Sequence, residues 1–291
     1  MSQPYVILTE SSCDLTPELT AQAGAEVLPL NFTMEGKNYP HYPDERAMSI
    51  SEFYERMRGG AVAVTAAANV AELTDGMEVH LRQGKDVLFL CFSSGLSSTR
   101  DACAIAANEL GERYPDRKIY TVDTLAASAG QGLLVLLAGR KQKAGASIEE
   151  VRDFVEETKL HMAHWFTVDD LTYLKRGGRV SPTAAAVGTM LNIKPVLHVD
   201  NEGHLIPMEK VLGRKAALAA LVRQMRETVV NPEEQTMVVS HSRCQEEAEQ
   251  LRESILEEFH PKEVLILELG PIIGAHTGPG LMALFFLAEH R

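Results

Sequence analysis

Two loops carry the residues best suited to chemistry. In the first, the apolar run DVLFLCF (86–92) leads into SSGLSSTRD (93–101) and then into a helical pattern, ACAIAANEL (102–110). A strand feeding such a loop into a helix leaves unpaired backbone N–H groups aimed at one spot, with the positive end of the helix dipole behind them. That is a cradle for an anionic group. In the second, VLILELG (264–270) is followed by PIIGAHTGPG (271–280) and LMALFFLAEH (281–290). This places His276 and Thr277 where the next helix is expected to begin. Two cradles, one with a histidine, predict a site for an acid or a phosphate.

Simpler roles compete for the same residues. Ser97, Ser98 and Thr99 are all good helix caps, and capping alone would account for their types. The enzyme alternatives are a phosphotransferase component related by fold and a hydrolase using a loop serine, which would need a base within hydrogen-bond reach, with His276 as the candidate. The GLSS stretch does not form a nucleophile elbow, because neither Ser94 nor Ser97 has glycines at both flanking second positions. Neither loop ends in Gly-Lys-Ser/Thr, so no P-loop is present. Gly274, Gly278 and Gly280 flank His276 and allow backbone to approach a ligand closely. His161 and His164 are three apart, but no carboxylate or cysteine completes a metal set, and they read as surface histidines. Asp169 and Asp170 read as caps of a short helix. Lys175, Arg176 and Arg179 surround Gly177 and Gly178, making a compact basic turn that suits either an acidic partner or a solvated helix end.

The elements that must position these residues follow from patterning. The 291 residues suggest about two domains. A net charge of −12 disfavours nucleic acid and anionic surfaces as partners of the whole protein. Cys13, Cys91, Cys103 and Cys244 form no C-x-x-C pair and read as reduced thiols of a cytoplasmic protein. No apolar run approaches the roughly 20 residues of a membrane span, and no leader pattern opens the sequence. Strands are expected at 5–9, 26–34, 87–92 and 118–122. Helices are expected from Ser49 or Ser51 to Met57 and over 70–83, 102–114 and 148–161, with a long apolar one ending at Gly145. Asp14 is expected at a helix cap, and Tyr39–Pro43 and Val64–Thr65 in loops. This alternation predicts a parallel sheet covered on both faces. After His161 the pattern shifts to a strand, a short helix, a hairpin through DNEG (200–203), and then further strands and helices ending in a helix over 280–289. The boundary falls near residue 160, giving units 1–160 and 161–291 with a mixed sheet in the second and the ligand at their junction.

The sequence resembles the DegV family, the bacterial fatty-acid-binding proteins that include the FakB-type subunits of fatty-acid kinase. The likeness runs along nearly the whole chain. It is carried by TESSCDL, VLPL, EFYERM, FSSGLSSTRDA, VDTLAASAGQGLLV, DDLTYLKRGGRVS, NIKPVLHV and GPIIGAHTGPG. The resemblance implies a two-domain α/β carrier, not an enzyme, with a long-chain fatty acid buried between the domains and no other cofactor or metal. The acid would be presented to a separate kinase, and contact with a membrane would be transient. The family's threonine-serine-glutamine motif maps onto Thr65, Ala66 and Ala67, keeping the threonine and losing the serine. Its SGT-type loop maps onto Ser97, Ser98 and Thr99, with Ser98 in place of glycine. Glu10 stands where an aspartate is usual. The carboxylate-binding residues carried over are Thr65, Ser97 and His276, with Ser98 and Thr277 in support. Arg176 and Arg179 are expected to face the kinase.

Overall fold

The computed structural model describes residues 4–181 and 192–291. Among them, β1 (Tyr5–Glu10), β2 (Ala25–Leu28), β6 (Asp86–Cys91) and β7 (Ile119–Asp123) form a parallel sheet in the order β2-β1-β6-β7. Every residue of β6 is buried, as a parallel strand covered on both faces requires. The strand order reverses between β1 and β6, and the crevice at such a reversal is where open α/β sheets bind ligands. β1 ends at Glu10 and the segment after it carries Ser11–Asp14, and the loop after β6 carries Ser97.

A small antiparallel sheet, β4-β3-β5, combines β3 (Leu30–Met34), β4 (Lys37–His41) and β5 (Ala63–Ala66). The third sheet is mixed and six-stranded, ordered β10-β9-β8-β13-β11-β12. Its strands are β8 (Met162–Thr167), β9 (Ile193–Val199), β10 (Leu205–Leu212), β11 (Thr236–His241), β12 (Glu263–Glu268) and β13 (Met282–Leu287). The expected hairpin is present, with β9 and β10 antiparallel around residues 200–204. Helix starts follow the sequence chemistry. Ser49 caps Ile50–Arg58, and Asn69 and Ser147 form capping boxes with Glu72 and Glu150.

The helix Ala129–Lys143 has no polar face, because it packs among the parallel sheet, the six-stranded sheet and the helix Pro17–Ala23. Small residues let it fit. A Cβ on Gly139 would lie 2.1 Å from the Ala23 carbonyl oxygen, and one on Gly132 would lie 2.5 Å from that of Cys13. No described helix is long and apolar enough to cross a membrane.

Four expectations are corrected. The run 26–34 is not one strand: β2 ends at Leu28 and β3 joins a different sheet. Tyr39 and Thr65 lie in strands, because pairing with β3 satisfies backbone that local propensity left open. Asp14 is not an N-cap: it ends the short 3-10 helix Ser11–Cys13, buried with φ 52°, and Thr16 caps Pro17–Ala23. The final helix does not exist. PIIGAHT forms the helix Pro271–Thr277, and MALFFL forms β13 between β8 and β11. Buried on both faces, that strand is apolar without alternation, so its sequence reads as a buried helix as readily as a strand.

Candidate ligand site

One cavity receives residues from every layer. Its walls include Thr65, Ala66 and Ala67 at the end of β5, Phe92, Leu96 and Ser97 after β6, and Ala127 and Ser128 at the start of the long helix. The six-stranded sheet adds His164, Phe166 and Phe285, and the helix Pro271–Thr277 adds Ile272, Ile273, His276 and Thr277. Leu174 and Arg179, on either side of the Gly-Gly turn, also line it. Ser98, Lys175 and Arg176 are exposed and lie outside the lining.

The polar groups converge at one region of the wall. Thr65 Oγ1 and His276 Nε2 lie 2.7 Å apart. Ser97 Oγ lies 3.0 Å from Thr99 Oγ1 and accepts the Thr99 N–H at 3.2 Å. Thr99 Oγ1 in turn accepts the Ala68 N–H at 3.2 Å, tying the two loops together. Capping and cradling therefore coexist: Ser97 satisfies an N–H of the helix Thr99–Arg113 while its hydroxyl remains on the cavity wall. Ser98, at the N-cap position, makes no side-chain cap bond. Thr277 donates to Ile273 O within its own helix. Because Pro271–Thr277 is a helix, His276 lies in its last turn and the second cradle is not a helix N-terminus. The serine-histidine pair of a hydrolase is not formed, since His276 Nε2 is paired with Thr65 and Ser97 with Thr99.

Arg179 supplies the charge. Its Nε and Nη2 donate to Leu96 O at 3.1 and 3.0 Å, and its Nη1 donates to Gly177 O. Expected at a partner-facing surface, the guanidinium is instead held half-buried against the loop that carries Ser97. Arg176 lies over the Tyr173 ring, 5.5 Å from its centroid. Burial, reinforced by the Arg179 charge, lowers the His276 pKa to about 4, so the imidazole is neutral at neutral pH. Two hydroxyls, a neutral imidazole and a fixed cation have the chemistry to receive an anion in an acidic protein.

Sequence reasoning missed a second group of polar residues. Ser128 lies on the wall with φ 53° and donates to Asp14 Oδ2 at 2.6 Å, while the Gly270 N–H donates to Asp14 Oδ1 at 3.0 Å. Glu10 is fully buried and accepts the Phe92 N–H and, at 2.7 Å, Gln131 Nε2. His164, read from sequence as a surface residue, is buried in β8. Its Nδ1 lies 2.8 Å from Met162 O, and its Nε2 accepts the Ala127 N–H at 3.3 Å. That pairing fixes the neutral Nδ1–H tautomer, and burial holds its pKa well below the usual value. For His164 the local pattern gave no signal, because MAHWFT does not alternate and the whole of β8 is buried. For Ser128 and Asp14 there was none either, since their pairing joins residues 114 positions apart.

Burial raises both carboxyls to about 7, against the hydrogen bonds that favour ionisation. In unfolded chain Asp14 titrates at about 3.9. Between these values the folded state binds the proton more tightly, so this group's contribution to stability falls as pH rises from about 4 to about 7. Asp14→Asn removes that dependence. The difference in Tm, variant minus wild type, should increase by several degrees between about pH 5 and about pH 8. A constant difference would show that the carboxyl titrates in its ordinary range.

The comparisons agree with this architecture. Residues 4–289 match the family described as "Uncharacterised protein, DegV family". A DegV domain-containing protein of Clostridium perfringens is 42% identical over 287 residues, covering 99% of this chain and 98% of its own. A DegV lipid-binding protein from Thermotoga maritima superposes with a TM-score of 0.85 at 30% identity, covering 99% of both chains. A DegV family protein from Thermus thermophilus, described for its fatty-acid binding, has a TM-score of 0.88 at 29% identity, covering 99% of this chain and 100% of its own. From strand order to the loops that form the cavity, this chain belongs to the DegV family.

Proposed function

We propose that this protein is a carrier that binds a long-chain fatty acid, holds its carboxylate at Thr65, Ser97 and His276, and presents it to a separate kinase. The observation that carries the reading is the make-up of the cavity wall. Thr65 is paired with His276, the Ala68 N–H joins its loop to the Ser97 loop through Thr99, and Arg179 holds that loop at Leu96 O, while Phe166, Phe285, Leu174, Ile272 and Ile273 are among the apolar side chains of the same cavity. Burying about fifteen methylenes at about 0.8 kcal/mol each supplies roughly 12 kcal/mol before association costs. The tail thus provides affinity, and the polar groups fix which end meets the partner. Similar proteins described as fatty-acid- or lipid-binding support the ligand class.

Solvent extraction and native mass spectrometry of protein purified from bacteria should find about one long-chain acid per chain. Protein that is both lipid-free and unable to take up added oleate would sink the proposal. The kinase step has its own test, in which acid affinity and phosphorylation rate are measured for Arg176→Ala and Arg179→Ala. The exposed Arg176 serves the kinase if its loss slows phosphorylation and leaves affinity within about twofold of wild type. Arg179 serves the acid if both quantities fall together, and the kinase if phosphorylation alone falls.

A further inference from the structure

The basic turn KRGGR contains two adjacent glycines, and they are there for different reasons. Gly178 has φ +72°, a left-handed conformation that favours glycine, and among the described residues no atom beyond its chain neighbours lies within 4 Å of where its Cβ would be. Gly177 has φ −72° and ψ −11°, an ordinary helical conformation open to any residue. Space is what Gly177 lacks. A Cβ there would lie 2.2 Å from His276 Nδ1 and 3.2 Å from Cγ and Cε1 of the same ring. The contact is reciprocated, since a Cβ on Gly278 would lie 2.5 Å from the Tyr173 ring. Each turn thus accepts the other's ring where a side chain would otherwise stand.

This packing bears on where the imidazole proton sits. His276 Nδ1 is buried and has no hydrogen-bond partner among the described residues, whereas Nε2 faces Thr65 Oγ1. In glycine a hydrogen takes the place of Cβ, so one Cα–H of Gly177 is aimed at Nδ1. A bare lone pair accepts that contact weakly, whereas an N–H would meet it hydrogen to hydrogen and stay unpaired.

We propose that Gly177 is a positioning residue: its missing side chain seats His276 as the Nε2–H tautomer, which donates to Thr65 Oγ1 and leaves the Thr65 hydroxyl hydrogen for a ligand oxygen. Thr65 is then the direct donor to the ligand, and His276 acts through it. This gives the distinctive Gly-Gly turn a task in the site on the far side of the cavity wall from its basic, exposed residues.

The test has two arms. The first needs no ligand. Long-range proton–nitrogen spectra of 15N-histidine-labelled protein, with His276 assigned by its loss in His276→Ala, should show the Nε2–H pattern at neutral pH. Gly177→Ala should disturb that pattern, and Gly178→Ala should leave it unchanged. The second arm rests on the fatty-acid reading above and uses oleate titrations. Gly177→Ala should weaken binding at least about tenfold in the wild-type background and less than about twofold in the His276→Ala background. An Nδ1–H pattern in wild type, an unperturbed His276 in Gly177→Ala, or equal losses in both backgrounds would each overturn the proposal. If wild type binds no oleate, the fatty-acid reading fails and the tautomer measurement alone decides the role of Gly177. If Gly177→Ala does not fold, the wild-type tautomer decides it.

Discussion

Protein carrying His276→Ala is expected to bind a long-chain fatty acid roughly 10- to 150-fold more weakly than wild type while keeping its Tm within a few degrees. The range follows from about 1.5–3 kcal/mol for the hydrogen bond from Thr65 to the charged carboxylate, which the imidazole aligns. The imidazole orders Thr65 Oγ1 at 2.7 Å and is half-buried at the cavity wall, so its loss leaves Thr65 unanchored beside the carboxylate. Thr65→Val tests the same bond from the other side. It keeps the volume and removes the hydroxyl, and its loss of affinity should be of similar size. The two changes should also be non-additive, because either one breaks the shared bond. Isothermal titration with oleate measures both variants and the double mutant. Wild-type affinity in both single mutants would show that the head group is held elsewhere on the wall.

The largest effect on stability is expected from Gly139→Val. The Cβ position lies 2.1 Å from the Ala23 carbonyl oxygen, and the next two nearest atoms, at 2.7 and 2.8 Å, are also Ala23 backbone. No side chain can swing aside there. The helix Ala129–Lys143 must move away from Pro17–Ala23, which opens the packing on both sides of it. Overpacking of this kind costs about 1–3 kcal/mol when side chains can adjust, and this site belongs at or above the upper end. The expected fall in Tm is about 5–10 °C. Gly111→Val is the control: no atom lies within 4 Å of its Cβ position, and the change should lower Tm much less. Equal shifts would mean that helix propensity, not close approach, sets the cost at Gly139.

How much of this was legible in the sequence depends on the range of the interactions involved. The parallel sheet, the hairpin at residues 200–204 and most helix starts are written in local pattern and capping residues such as Ser49, Asn69 and Ser147. The motifs carried Thr65, Ser97 and His276, and the structure places all three on one cavity wall. Strand β13 was illegible because a strand buried on both faces loses the alternation that marks strands. The small sheet was missed because β5 is four residues long and is held by pairing with β3, more than thirty positions earlier. Arg179 reads as a surface charge because nothing local says that its fork will bond to Leu96 O. Ser128 and His164 are ordinary in composition. Only the fold brings them to the cavity.

The Thr65–His276 pair joins residues 211 positions apart, and the Asp14–Gly270 bond spans 256. During synthesis the N-terminal parallel sheet can pair long before residue 276 leaves the ribosome. The site has no such early form. Its first hydroxyl waits through the emergence of five of the six strands of the mixed sheet, β8 to β12, before its histidine exists. On the carrier reading, a fatty acid meets the full set of head-group residues only in a chain whose distant segments have already met. A ligand that binds this state and not its precursors stabilises the finished molecule by mass action. Occupancy then doubles as a report that folding is complete, and an empty chain should be the form that proteases find first.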